Sequence, residues 1–361
     1  MKITDVIVQA VDVGQGFRWA NRRDMQVVGV FVTIETDSGH VGHSFAWTAE
    51  LPAASVVSAI EIGVKPHLLG GDPFNRHQLL APVWRGFRVG TPLPAIGVVD
   101  VALWDLAGKV CGRSVTEMLG RRHDRLKGCA SAPPVDSADE CADMVKELQA
   151  AGFNAVKLHS CGDVNVDIAA CHAARSAGGD GLDLMMDAMA IYRRDEILRL
   201  GRALDDCAFV WFEDPLPDDD LDGWIDLRGR IDTPLAGVDA VRFTIKDYAR
   251  PIADGAFDIV RMEAARDGIS QLDALGKLAE GFGLGCEGHA FGPALAQSAN
   301  LQVALACAGA RYCELPVPVG ALDFGVTSGL TLDAEGFVAG PPGPGLGLDV
   351  DRSAMDSAVL R

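Results

Sequence analysis

The feature that most constrains this chain is a repeat running through its last two-thirds. Short apolar runs, NAVKLH, DLMMD, FVWFED, PLAGVD, FDIVRME, LGCEGH and RYCEL, alternate with amphipathic stretches, and each run closes on a polar or charged residue. From His159 to Asp187 is 28 residues; the later steps to Glu213, Asp239, Glu263, His289 and Glu314 are 26, 26, 24, 26 and 25. A near-constant strand-plus-helix period with a polar group at every strand's C-terminal end is what a closed parallel barrel requires, because its active site is built from those ends. Adding LKGCASA (126–132) as a first strand makes eight. The main rival is an open doubly wound sheet, but the Gly-rich phosphate turn usual in that fold is missing.

The segment before the repeat has a different texture. MKITDVIVQAVDV and VVGVFVTIETDSGHVGHSFA alternate with period two, with Asp37-Ser38-Gly39 as a turn, and predict a β-meander over residues 1–48. The intervening 14–26 is polar and Gly-rich and reads as a mobile loop. In TPLPAIGVVDVALWDLAGKVCG, Ile96, Val99, Ala102, Leu103 and Leu106 recur at helical spacing. The expected architecture is therefore an α/β chain, a (β/α)-barrel over 123–324 under an N-terminal α+β module over 1–122. Beyond Leu315 the chain turns Gly- and Pro-rich, either as a surface tail or as a segment (325–361) packed back on the N-terminal module.

Composition removes other classes of function. The net charge of −18 argues against nucleic acid or an anionic membrane as partner. No apolar run approaches the ~20 residues needed to span a bilayer, and the N-terminus lacks a signal pattern. The nine cysteines are odd in number and form no CxxC pair, which suits free thiols in a reducing cytoplasm.

Three carboxylates on successive strand ends, Asp187, Glu213 and Asp239, would converge, and such a cluster needs a bridging cation. All-oxygen ligation suits Mg²⁺; helix capping is the alternative role for each residue taken singly. Lys157 and His159 lie two apart on one strand, so both face the mouth, and either could act as general base, the lysine with its pKa lowered by a nearby cation. Glu263 and His289 end adjacent strands, where the carboxylate can orient the imidazole for proton transfer. Glu314 could hydrogen-bond a substrate carboxylate or a developing enediolate, or make a salt bridge.

Taken together, AIGVVDVALWDLAGKVCGRSVTEMLG (95–120), Lys157-x-His159, Asp187, Glu213 in WFEDPLP, Asp239 in AGVD, Glu263, His289 in GHAFGPAL, Glu314 in ELPVP and the late PGLG resemble the mandelate racemase subgroup of the enolase superfamily. The resemblance implies a modified TIM barrel under a capping domain. It also implies a Mg²⁺ ion held by Asp187, Glu213 and Asp239, with abstraction of the proton next to a carboxylate. Dehydration of an acid sugar is the leading expectation. Racemisation or epimerisation is the second, and a barrel that binds a carboxylate without turnover is the third. Cap loops at about 14–26 and 43–50 would offer Phe17, Arg18, Trp19, Phe45 and Trp47 to the substrate. A cytoplasmic homo-oligomer with a small carboxylate as partner is the expected context. Three positions depart from the subgroup: His159 stands for a usual lysine, Asp239 for a usual glutamate and Glu263 for a usual aspartate.

Overall fold

The computed structural model describes residues 1–19, 22–47, 52–86, 90–237, 245–289 and 292–360. Three antiparallel strands, β1 (Ile3–Trp19), β2 (Arg22–Thr36) and β3 (Val41–Trp47), open the chain in the order β1-β2-β3. Of the segment 14–26, expected to be a loop, the described residues 14–19 and 22–26 instead extend β1 and β2, with Gly16 opposite Gln26 and Phe17 opposite Met25. Its irregular composition appears as a register shift between Asp12 and Gly16, where Gly14 takes a positive φ of 68° and its N–H donates to Asp12 Oδ1 at 2.9 Å. Polar residues are tolerated there because cross-strand pairing satisfies the backbone.

The sheet buries both faces. Val30, Val32, Ile34 and Ala46 pack with Ile96, Val99, Ala102, Leu103 and Leu106 of the helix Leu93–Cys111, while Val27, Phe31 and Phe45 join the larger core that includes the barrel helices. Fully burying each such aliphatic or aromatic side chain contributes roughly 1.5–3 kcal/mol. Gly42 allows the contact with the helix: a Cβ there would lie 2.3 Å from the Ala102 carbonyl oxygen.

Eight parallel strands follow: β4 (Arg125–Ser131), β5 (Ala155–His159), β6 (Asp183–Asp187), β7 (Trp211–Glu213), β8 (Leu235–Gly237), β9 (Ile259–Met262), β10 (Gly285–Gly288) and β11 (Tyr312–Pro316). Their order is β10-β9-β8-β7-β6-β5-β4-β11, a nearly closed barrel. A side chain helps bridge β10 and β11: the Glu287 carboxylate accepts from the backbone N–H groups of Arg311 and Tyr312, each at 3.1 Å. Cys129, Ala155, Met185, Trp211, Ala236, Ile259 and Tyr312 form a compact internal cluster, so the barrel is a packed core and the site lies above it.

The late segment makes extensive contacts rather than trailing over the surface. A short strand, β12 (Phe337–Ala339), pairs antiparallel with β4. Further on, Leu346, Leu348 and Met355 are buried, Leu360 N–H donates to Ala10, and Arg352 donates to Thr33 Oγ1 at 2.6 Å. Among the described residues no helix is long and apolar enough to cross a membrane.

Candidate active site

Strand register brings the expected residues to one level. His159 pairs with Asp187, and Asp187 with Glu213, so three successive strands end side by side. The backbone turns sharply just past two of these ends, where Met189, Ala190 and Asp214 adopt positive φ of 50°, 52° and 39° without being glycine. Conformations of this kind are sparsely populated and recur at functional sites. One consequence is local: Met189 N–H donates to Asp187 Oδ1 at 2.8 Å and fixes that carboxylate.

Beneath the mouth lies a ring of alternating charges. Lys157 Nζ donates to Glu213 Oε1 at 3.0 Å and stands 3.0 Å from Glu314 Oε1 and 3.6 Å from Asp187 Oδ2. Arg261 closes the ring, with Nε 3.0 Å from Glu213 Oε1 and Nη2 donating to Glu314 Oε2 at 2.6 Å. Trp211 Nε1 donates to Glu213 Oε2 at 3.0 Å, and Ser131 Oγ to Glu314 Oε1 at 2.7 Å. Lys157 is 0% exposed and Arg261 1%. Buried charges persist only when paired and hydrogen-bonded in this way.

This ring sets the charges of Lys157 and Glu314, and for Glu314 it gives the salt bridge that was one of its two readings. Burial opposes the charge on Lys157, but Glu213 and Glu314 outweigh it and raise its pKa above the ordinary lysine value. Within this ring Lys157 is held as a cation by its carboxylate partners. Burial likewise works to raise the pKa of Glu314, yet Lys157 and Arg261 overcome it and hold the carboxyl well below its usual range. Glu314 is an ionised acceptor in a salt bridge and has no proton to donate to a substrate carboxylate.

The two histidines differ in their partners. His159 Nδ1 lies 2.6 Å from the Ala132 carbonyl oxygen and Nε2 lies 3.5 Å from Asp187 Oδ2. Burial, then the neighbouring Lys157, lower its pKa to about 4, so this imidazole is neutral with its proton on Nδ1. His289, just past β10, has Nδ1 3.2 Å from Glu263 Oε2. The other oxygen of Glu263 accepts from Ala265 N–H at 2.9 Å and from Asn300 Nδ2 at 3.3 Å. Glu263 thus caps the short helix Ala264–Asp267, a role not foreseen for it, while its second oxygen faces the His289 imidazole.

Other expected residues fall elsewhere. Phe45 is 1% exposed, with its ring edge-on to Phe31, and is a core residue, not a substrate contact; strand parity turns it into the sheet–barrel interface. Trp47, two residues on, is partly buried, and its Cβ comes within 3.7 Å of where a Cβ on Gly292 would stand, beside the loop that follows His289. Asp239 and the side chains of Phe17, Arg18 and Trp19 lie outside the described residues. Arg261 was missed by the sequence reading. Its signal was parity, since it precedes Glu263 by two positions as Lys157 precedes His159, and so points to the barrel axis.

Among the described residues, no three His, Cys, Asp or Glu side chains converge tightly enough to hold an ion. Asp187 and Glu213 nonetheless fit one in chemistry and placement: two buried carboxylates on adjacent strands share the ammonium of Lys157, which shows that this spot demands positive charge. Such hard oxygen donors suit a Mg²⁺-like ion, with Asp239, three residues beyond the Glu213 partner Ala236, as the further donor the spacing offers.

Residues 4–120 match the mandelate racemase / muconate lactonizing enzyme N-terminal domain, and residues 140–354 match an enolase C-terminal domain-like unit. The chain belongs to the mandelate racemase/muconate lactonizing enzyme family of the enolase superfamily. It is 28% identical to the D-galactarolactone cycloisomerase of Agrobacterium fabrum over 98% of each chain, and 28% identical to the D-galactonate dehydratase of Ralstonia nicotianae over 90% of each. The structure of a magnesium-complexed D-glucarate dehydratase from Agrobacterium tumefaciens superposes with a TM-score of 0.89 at 30% identity, covering 100% of both chains. These family relatives are enzymes, both lyases and isomerases. The observed barrel and antiparallel cap agree with that membership.

Proposed function

We propose that this protein is a Mg²⁺-dependent lyase that removes the α-proton of an acid sugar and expels its β-hydroxyl, giving a 2-keto-3-deoxy acid. The observation that carries the reading is the His289–Glu263 pair at the mouth. With Nδ1–H directed at a carboxylate, Nε2 bears the lone pair and Glu263 stabilises the imidazolium that forms on proton uptake. The bound ion would supply positive charge beside the substrate carboxylate, where negative charge develops. Lys157, a standing cation at the floor of the mouth, adds to that charge. His289 takes the α-proton, the C–H electron pair moves toward the carboxylate, and the β C–O bond then breaks. The same imidazolium returns its proton to the departing oxygen, which leaves as water, and the enol tautomerises to the keto acid.

Racemisation needs a proton acceptor on the opposite face. On that side His159 Nδ1 faces the Ala132 carbonyl oxygen rather than a carboxylate such as the one His289 has in Glu263, which favours chemistry run from one face. We take residues 1–122 with 325–361 as the cap and 123–324 as the catalytic barrel, with Trp47 reaching the distal part of the substrate.

The test is a screen of mono- and diacid sugars with the chelator-treated protein, with and without Mg²⁺. Mg²⁺-dependent keto-acid release supports the proposal. Loss of optical rotation alone makes the protein a racemase or epimerase, binding without conversion makes it a carboxylate-binding barrel, and full activity after chelation removes the metal.

A further inference from the structure

The ion ring contains a residue that neither the period of the sequence nor the proposed proton transfer accounts for. Arg261 lies inside the barrel between Glu213 and Glu314, sharing both carboxylates with Lys157. Glu213 consequently has two cations at 3.0 Å from one oxygen and the Trp211 indole on the other. A divalent ion approaching Glu213 must share it with both. Lys157 is held by Glu213, Glu314 and Asp187. Arg261 is fixed by its hydrogen bond to Glu314, and its guanidinium also lies 5.5 Å from the Trp211 ring centroid.

We propose that Arg261 is a positioning residue that holds Glu213 and Glu314 in one orientation and, through its charge on Glu213, sets how tightly the strand-end carboxylates bind a divalent cation. This rests on the reading of Asp187 and Glu213 as metal ligands. Arg261 weakens the site while bridging Glu213 and Glu314 and so keeping both ordered. Glu314 opposes it by neutralising both cations. Two substitutions on the same ring should therefore move metal affinity in opposite directions, which a merely structural role would not do.

The experiment is calorimetric titration of the chelator-treated full chain with magnesium chloride alone, with thermal melts run alongside. Removing one unit charge a few ångströms away, in a medium of effective dielectric ~20, predicts that Arg261→Gln tightens Mg²⁺ binding by about tenfold or more. Arg261→Lys, which keeps the charge, should stay within about threefold of wild type. Glu314→Gln should weaken binding, because Lys157 and Arg261 then act undivided on Glu213, and it carries the test by itself if Arg261→Gln does not fold. Unchanged or weaker binding in folded Arg261→Gln overturns the proposal, as does unchanged or tighter binding in Glu314→Gln. If Glu213→Gln binds Mg²⁺ as wild type does, the metal reading itself fails; if only the ring variants misbehave, that reading stands and the role of Arg261 falls.

Discussion

Two histidines stand at the ends of parallel strands in one barrel, and their surroundings assign them different chemistry. His159 directs Nδ1 to the Ala132 carbonyl oxygen and sits beside the Lys157 ammonium, so its environment keeps it neutral. His289 directs Nδ1 to the carboxylate of Glu263, itself pinned by Ala265 N–H and Asn300. A carbonyl can orient an imidazole, but only a carboxylate also stabilises the cation formed when the ring takes a proton. Residue type and strand-end position are alike in both cases; the charge of the hydrogen-bond partner differs, and on that difference rests the proposal that His289 is the base.

The comparison is sharpened first by removing the His289 imidazole. His289→Asn should lower keto-acid formation by ~10²–10⁴-fold, the usual contribution of a general acid–base group. If His289 performs both proton transfers, α-proton exchange with deuterated solvent falls with it. Exchange that survives while elimination is lost would assign the base to the β5 side. Wild-type turnover would remove His289 from the mechanism.

Next in size is the partner. Glu263→Gln can still accept from Ala265 N–H but lacks the charge that supports an imidazolium, and partners of this kind are typically worth ~10–100-fold. The loss should appear in kcat with little change in thermal stability. An unaltered kcat would make the pair a helix cap and nothing more.

His159→Gln should cost less, under ~10-fold in kcat, because the group lost is not a proton acceptor in the favoured reading. A loss as large as that of His289→Asn would show that both faces work and would favour racemisation.

The smallest effect is on stability. His159 and the cap residue His43, which burial lowers to about 3, both have folded-state pKa values below the ordinary 6.5. Their neutral forms therefore contribute stability that is complete above pH 6.5 and is lost as the pH falls toward about 4 and about 3, because the unfolded chain binds protons that the fold excludes. The melting temperature should decline on acidification below pH 6.5, and His159→Gln and His43→Gln should each flatten that decline. Slopes identical to wild type would contradict the neutral assignment.

How much of this was legible beforehand depends on whether a feature is periodic. The strand ends from His159 to Glu314 could be read because the barrel repeats one unit, and a polar group closing each apolar run is visible without coordinates. The helix Leu93–Cys111 was legible for the same reason, through its 3.6-residue spacing. Arg261 was obscured because it sits inside an apolar run, and only strand parity marks it as facing the axis. Phe45 was misread because an aromatic near a cap loop looks the same in sequence whether its face of the strand meets substrate or a neighbouring core. Residues 14–19 and 22–26 are extended where a loop was expected because cross-strand pairing can impose extended backbone on a composition that does not favour it.

The order of strands, the level at which the polar groups stand and the pairing of a carboxylate with a histidine one strand later were thus determined by the sequence alone, since each follows from spacing along a repeating unit. The charge states of those groups were decided only by the tertiary structure. Glu213 and Glu314 raise the pKa of Lys157, and Lys157 and Arg261 lower that of Glu314, because residues far apart in the chain meet in one buried ring. Coulombic interactions of that kind depend on distances of a few ångströms and on exclusion of water, and neither can be read from spacing along the chain.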